Sequence, residues 1–194
     1  ISGMTGRGSI RHNNRSFSAA NVDRSRTEQN VTFCNDDLKQ VYHEIFDEAL
    51  AAYNAKKKKT RDKIPDYYEH IRQGKQEKLF HEAIFQIGNL EDCGCGSPGG
   101  ERAAAALKEF AESFQERNPH LRVFNMVLHM DEATPHLHVD FVPVATEQSR
   151  GLSTGSYETG TQAAGICGAW PQSDGVAGVD GTRKGVTYGD CPGA

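Results

Sequence analysis

Long apolar runs are missing from this chain. No stretch approaches the roughly 18 residues that a membrane-spanning helix requires, and the mean hydropathy is -0.63. A soluble, cytoplasmic protein with a modest core is expected. Cysteine is scarce and odd in number: Cys34, Cys93, Cys95, Cys167 and Cys191. No C-x-x-C pair or Cys/His repeat occurs, which argues against a disulfide scaffold and for a reducing compartment. A strong charge of one sign is also lacking. The net charge is -4, so any nucleic-acid binding must come from local basic patches. The chain opens at Ile1 without a methionine, no secretory leader is read in it, and its true N-terminus is expected upstream.

What is present divides into two parts. The 194 residues suit one domain with an appendage. All eight histidines lie at or before His138, whereas 11 of the 20 glycines fall after Arg150. From Gly155 to Ala194 no apolar period persists. A domain over 1–154 and a glycine-rich tail over 155–194 are therefore expected.

Within the first part, residues 1–8 read as the remnant of a strand, residues 9–30 as loop with short strands, and Val31 to Cys34 as a brief strand. Asn35 or Asp36 caps a helix running to about Ala55, whose Leu38, Val41, Tyr42, Ile45, Phe46, Ala49 and Tyr53 form one apolar stripe. A basic run from Lys56 to Lys59 follows, suited to tracking a nucleic-acid backbone. A second helix is expected from Ile64 to Arg72 with Pro65 in its first turn. Leu79 to Ile87 reads as a strand with Phe80, Glu82, Ile84 and Gln86 on one face. Glu91 to Gly100 reads as loop and Glu101 to Arg117 as a helix. Arg122–His129 and Leu137–Val144 read as strands joined in a hairpin by residues 130–135. Helices with antiparallel strands give an α+β sandwich.

The chemistry concentrates in His129-Met130-Asp131-Glu132-Ala133-Thr134-Pro135-His136-Leu137-His138. His136 and His138 are two apart on a strand and project from one face. His129 ends the partner strand within reach of that face. Three imidazoles converging at a sheet end make a metal site with open positions. Asp131 and Glu132 lie in the connecting loop, where either can serve as a fourth ligand, as a partner to a ligand, or as a base. The spacing is neither H-E-x-x-H nor H-x-x-E-H, so the common zinc-protease arrangements do not apply.

The pattern H-x-D-E-x-T-P-H-x-H followed by an apolar strand resembles the metal motif of plasmid mobilisation relaxases of the MobV type, also called plasmid recombination (Mob/Pre) enzymes. These are HUH endonucleases, and Leu137 stands at the hydrophobic position. His12-Asn13-Asn14-Arg15 resembles the family's first motif, and Asn21-Val22-Asp23-Arg24-Ser25-Arg26-Thr27-Glu28-Gln29-Asn30 its second. The resemblance implies an HUH relaxase-like sandwich with antiparallel sheet and flanking helices. It also implies nicking and joining of one strand of plasmid DNA at an origin of transfer through a covalent intermediate. A divalent ion, Mn²⁺ or Mg²⁺, would sit on His129, His136 and His138, with His12 as nucleophile. Glu132 would deprotonate or orient His12, or ligate the metal. Arg15, Arg24 and Arg26 suit phosphate contacts, and Asn13, Asn14 and Asn30 suit base reading or loop fixing. The DNA would be single-stranded or hairpin, and the family's oligomerisation region is not expected within this chain.

Two alternatives stay open at this point. A rolling-circle replication initiator would use a tyrosine, with Tyr42, Tyr67 and Tyr68 as candidates. A relaxase fragment that binds DNA without cutting it is the other. The family's helix-forming segment after Thr154 is also replaced here by the glycine-rich tail. Codons for Tyr157 to Gly193 read one base later permit a charged helical string beginning M-K-Q-A-L-R. An out-of-frame tail without native fold is therefore expected.

Overall fold

The computed structural model describes residues 1–17, 19–75, 77–144 and 152. The tail expected over 155–194 lies outside the described residues. Five strands form one antiparallel sheet: β1 (Ser2–Thr5), β2 (Val31–Asn35), β3 (His81–Gln86), β4 (Leu121–His129) and β5 (His136–Pro143), in the order β1-β3-β5-β4-β2. Helices lie among them: α1 (Ile10–Asn13), α2 (Leu38–Ala55), α3 (Tyr67–Gln73), α4 (Leu90–Cys93), α5 (Pro98–Glu112) and α6 (Phe114–Arg117). The class is α+β, as the sequence predicts.

The helices cover both faces of the sheet. On one face Leu107, Ala111 and Phe114 of α5 and α6 pack against Val123, Met126, Leu128, Leu137, Val139 and Phe141. On the other, Val41, Tyr42, Ile45 and Phe46 of α2 and Ile71 of α3 pack against Phe124, Val142 and Val144. The central β4–β5 hairpin is buried on both faces along most of its length.

A β-bulge in β4 sets which residues reach which face. Strict alternation from Val123 would place Asn125, Val127 and His129 on the α5 side. The register instead slips between Val123 and Asn125, with Val123 opposite Phe141 and Asn125 opposite Asp140. The extra residue, Phe124, joins the α2 core. From Asn125 onward the alternation is inverted, so Met126 and Leu128 enter the α5 core while His129 stands directly across from His136.

Several local expectations are corrected. Residues 9–30 contain no strand among those described. They carry α1, capped by Ser9, and a 3₁₀ turn over Arg24–Gln29 capped by Asp23, because Ser and Asp side chains satisfy the first N–H groups of a turn. The α2 cap is Asp37, whose carboxylate accepts from the Gln40 N–H. Pro65 lies before α3 rather than in its first turn, the cap being Asp66. The stretch read as loop from Glu91 to Gly100 holds α4 and the start of α5, capped by Ser97 with Pro98 in the first turn. Gly99 and Gly100 enter α5 because a Cβ at either would collide with the Asp92 or Gly94 carbonyl. The helix expected to Arg117 is broken at Ser113.

Candidate functional site

The β4–β5 hairpin brings His129, His136 and His138 to one end of the sheet on its α2-side face. Their ring centroids lie 5.2 Å apart for His129 and His136, 4.5 Å for His129 and His138, and 5.0 Å for His136 and His138. Each ring has one nitrogen held by an oxygen acceptor. His129 Nε2 is 2.8 Å from the Asn13 carbonyl, His136 Nδ1 is 2.8 Å from the Thr134 carbonyl, and His138 Nδ1 is 2.7 Å from Glu82 Oε1. Donation of the N–H to these oxygens fixes the tautomers and leaves His129 Nδ1, His136 Nε2 and His138 Nε2 as lone-pair nitrogens. His129 Nδ1 and His138 Nε2 are buried without a hydrogen-bond partner.

Orphaned, buried imidazole nitrogens beside one another fit a borderline or hard divalent cation, and the oxygen acceptors behind them are the partners that metal-binding histidines use. Burial, followed by the nearby His138, pushes His129 down to about 3. Burial also lowers His136. Both rings are thus neutral, ligand-competent bases at pH 7.

Glu132 and His12 complete the cluster. Two triplets bring one ligand atom each to within 4.8 Å of one another: His12, His129 and His138, and His129, Glu132 and His136. Glu132 lies 3.8 Å from His129 Nδ1 and 3.9 Å from His136 Nε2, and His12 Nε2 lies 3.4 Å from Glu132 Oε1. The His12 ring is 5.7 Å from that of His129 and 5.8 Å from that of His138. It comes from α1, more than 100 residues away in sequence, and its side chain is 24% exposed. Burial and the Arg15 guanidinium lower its pKa against the opposing pull of Glu132, so the ring is neutral at pH 7.

The first two motifs mostly build the frame around this cluster. Asn13 is 1% exposed. Its amide donates to Glu82 Oε1 at 2.7 Å and to Asp140 Oδ2 at 2.9 Å, bridging two carboxylates that face each other across β3 and β5. Arg15 donates to both oxygens of Asp131 and to Glu132 Oε1. Asn30 donates to Asp131 Oδ2 and accepts from the Met130 N–H. Arg26 donates to Asp23 and to the Glu132 carbonyl, and Asn14 to Asn35. Asn13, Asn14 and Asn30, suited to base reading or loop fixing, and Arg15 and Arg26, suited to phosphate contacts, all make hydrogen bonds within the protein. For Asn13, Arg15 and Asn30 the reason is electrostatic: the buried Asp131, Glu82 and Asp140 carboxylates require donors. Arg24 remains exposed and makes no ion pair among the described residues.

Three residues of this frame were given no role by the sequence reading. Glu82 is buried, and burial acts to raise it. Bonds from His138, the Gly8 N–H and Asn13 outweigh that and hold it at about 2. A Cβ at Gly6 would strike the same carboxylate, so glycine there permits the close approach. Asp140 is pushed up to about 6 by burial despite donors from Asn125 and Asn13. Asn125 donates to Asp140 at 2.8 Å. A lone glutamate among Phe80 and Ile84 on one strand face was the available signal for Glu82. Asp140 lies on the His136 and His138 face by alternation alone.

The tyrosines proposed as alternative nucleophiles lie elsewhere. Tyr42 is buried and its hydroxyl donates to the Leu79 carbonyl at 2.7 Å. Tyr67 packs 4.9 Å from Phe46, and Tyr68 5.5 Å from Tyr42, in the α2–α3 core.

The histidine cluster on the central hairpin of the antiparallel sheet is thus faced by a fourth histidine, His12, from α1. The chain belongs to the plasmid recombination enzyme family, Mob_Pre, which it matches over residues 8–162. The match passes the boundary at 154 that composition suggested. Among solved structures the chain is similar to the MobM relaxase domain bound to plasmid pMV158 oriT DNA of 22 nucleotides, in Mn-bound crystals. In the crystals at pH 5.5 the identity is 21%, the TM-score 0.41, and the match covers 78% of this chain and 72% of that one. At pH 4.6 the values are 19%, 0.44, 78% and 73%. No curated protein matches the sequence.

Proposed function

We propose that the chain is a metal-dependent DNA relaxase. It nicks and rejoins one strand of plasmid DNA, single-stranded or in a hairpin, at an origin of transfer in the bacterial cytoplasm. The observation that carries this reading is His12, a neutral and partly exposed imidazole facing the His129–His136–His138 cluster beside Glu132. Membership of the plasmid recombination enzyme family supplies the substrate class.

His129, His136 and His138, with Glu132 at their edge, would hold Mn²⁺ or Mg²⁺, which polarises a scissile phosphate and stabilises the charge of its transition state. The chain's own residues do the rest. A lone pair on the His12 imidazole attacks phosphorus, the P–N bond forms, and the bond to the 3′ oxygen breaks. The 5′ phosphate stays on His12 as a phosphoramidate, and the 3′ oxygen leaves as an alkoxide that takes up, through solvent, the proton the phosphorylated imidazolium loses from its other nitrogen. Glu132, 3.4 Å from His12 Nε2, offsets the positive charge that grows on the ring. Arg15 holds Glu132 in place through its guanidinium, at 2.8 Å. Rejoining reverses the step, the free 3′ hydroxyl attacking the same phosphorus and releasing neutral His12.

The test is relaxation of supercoiled plasmid carrying the cognate origin with Mn²⁺ or Mg²⁺. Wild type is expected to nick and His12→Ala to be inactive while still binding metal. Nicking undiminished in His12→Ala would overturn the assignment. Metal and DNA binding by the wild type without any nicking would favour a silent binding fragment.

A further inference from the structure

Among the described residues Phe17 is an exposed aromatic beside this cluster, 45% exposed, and its position is enforced by an unusual turn. After α1 the chain reverses through Arg15, the only non-glycine residue with positive φ among those described, at 52°. Arg15 N–H donates to the His12 carbonyl at 3.1 Å and Ser16 N–H to the Arg11 carbonyl at 2.8 Å, the paired bonds that close a helix through a left-handed residue. Glycine is the usual occupant, and a side chain there is disfavoured. Here the Arg15 side chain is pinned to Asp131 and Glu132, which holds the strained conformation. The turn brings the Phe17 ring to 6.0 Å from the His12 ring and to 6.0 Å from the Arg11 guanidinium carbon.

Beside Phe17 lies an open cleft of about 410 Å³ lined by Arg15, Ser16, Phe17, Arg24 and Thr27. Its volume lies in the range of roughly 300–1,000 Å³ that holds small organic ligands. Phe17 forms one wall, exposed Arg24 lines the same cleft, and the exposed Arg11 guanidinium lies over the Phe17 ring. Aromatic faces interleaved with cations are what single-stranded nucleic acid uses: bases stack on rings while guanidinium groups meet phosphates. Polar Ser16 and Thr27 suit the sugar and base edge better than an apolar peptide.

We propose that Phe17 is a stacking platform for one unpaired nucleobase next to the scissile phosphate, with the cleft receiving that nucleotide and Arg24 contacting the phosphate beside it. The role deepens the relaxase reading, since a base seated on Phe17 fixes the register of the strand relative to His12. Phe17 is a positioning and specificity-determining residue, not a catalytic one.

The probe is a fluorescein-labelled thymidine oligonucleotide of about 20 nucleotides, compared with the same backbone made abasic throughout, in fluorescence anisotropy with the full chain. Phe17→Ala and Phe17→Leu are expected to weaken binding of the thymidine strand by roughly 5- to 150-fold, the range for loss of one base–aromatic stack. Phe17→Trp should restore it. Leucine keeps apolar volume without an aromatic face, so it separates stacking from mere packing on His12 and covers the case in which the alanine variant fails to fold. Wild type should bind the abasic strand no better than Phe17→Leu does. Equal affinity of wild type and Phe17→Leu for the thymidine strand, an equal loss on the abasic strand, or no binding by wild type would each overturn the proposal. Phe17-dependent binding by a chain that does not nick plasmid would leave the platform standing and remove the relaxase reading.

Discussion

The two faces of the β4–β5 hairpin alternate residue by residue, yet they do opposite things. One face presents Met126, Leu128, Leu137, Val139 and Phe141 to α5 and α6 and is dry. The other packs Phe124, Val142 and Val144 on α2 and α3, but toward the loop end of the hairpin it presents Asn125, His129, His136, His138 and Asp140, each buried or nearly so and each tied to polar partners. Leu137 sits between two proposed metal ligands and belongs wholly to the core. Stability and chemistry are thus carried by neighbouring residues on one strand, and the β4 bulge lets a single hairpin serve both without a register conflict.

Variants can break this division, the largest effect first. His136→Ala is expected to abolish metal-dependent nicking, a loss of at least about a thousandfold, while thermal unfolding of the metal-free chain changes little. Calorimetry and plasmid relaxation on the same preparation check both halves. A variant that loses its fold along with its activity would show that the histidine face also carries the core.

Leu137→Ala, one residue away, is expected to do the reverse. Its side chain is 0% exposed, and truncation costs about 2–5 kcal/mol of stability in denaturant unfolding. Mn²⁺ affinity at temperatures where the variant stays folded should be retained.

Glu82→Gln sharpens the comparison inside the polar face. It removes the carboxylate that orients His138 but keeps the shape. Mn²⁺ affinity should fall by about 10- to 100-fold, read by titration calorimetry. An unchanged affinity would mean that the His138–Glu82 pair only packs.

The two carboxylates on this face titrate in opposite directions, which gives a pH signature in the metal-free chain. Glu82 is depressed from 4.5 to about 2, so the stability it confers is complete above about 4.5 and lost as pH falls toward 2. Asp140 is raised from 3.8 to about 6, so it weakens the fold progressively as pH rises from 3.8 through 6. Asp140→Asn should remove that falling contribution between those two values, leaving the rise with pH that the lowered His12, His129 and His136 contribute there, and leave the acid limb in place. A profile identical to wild type would contradict the assignment.

The smallest effect concerns Arg24. Arg24→Ala should reduce the log–log salt slope of single-strand binding by about 0.7, one phosphate contact, without altering Mn²⁺ affinity. Arg26, engaged with Asp23 and the Glu132 carbonyl, should perturb the loop instead.

The convergence of the histidines was legible in the sequence because the three are local. An H-x-H alternation fixes two of them on one face, and a short hairpin loop returns the third. His12 was legible only through motif resemblance, since nothing in its neighbourhood announces a partner 120 residues on. Glu82, Asn125 and Asp140 carry no motif of their own, and their pairing depends on β3 lying next to β5, a long-range choice. From sequence alone Arg15 suits a phosphate contact, and Asn13 suits base reading and loop fixing equally. The structure turns them inward because α1 lies across buried Glu82, Asp140 and Asp131, which need donors. The helical start at Pro98 was hidden by glycines that serve close packing against α4 rather than flexibility. The β4 bulge has no sequence signature at all; it follows from having to bury Val123 and Phe124 on opposite faces while keeping His129 across from His136.

The most direct measurement is the site of covalent attachment. The full chain is incubated with an origin oligonucleotide and Mn²⁺, the adduct is digested under conditions that preserve phosphoramidates, and the nucleotide-bearing peptide is sequenced by mass spectrometry. The account predicts a single acid-labile attachment on His12. A stable attachment on Tyr42, Tyr67, Tyr68 or any other tyrosine would contradict it.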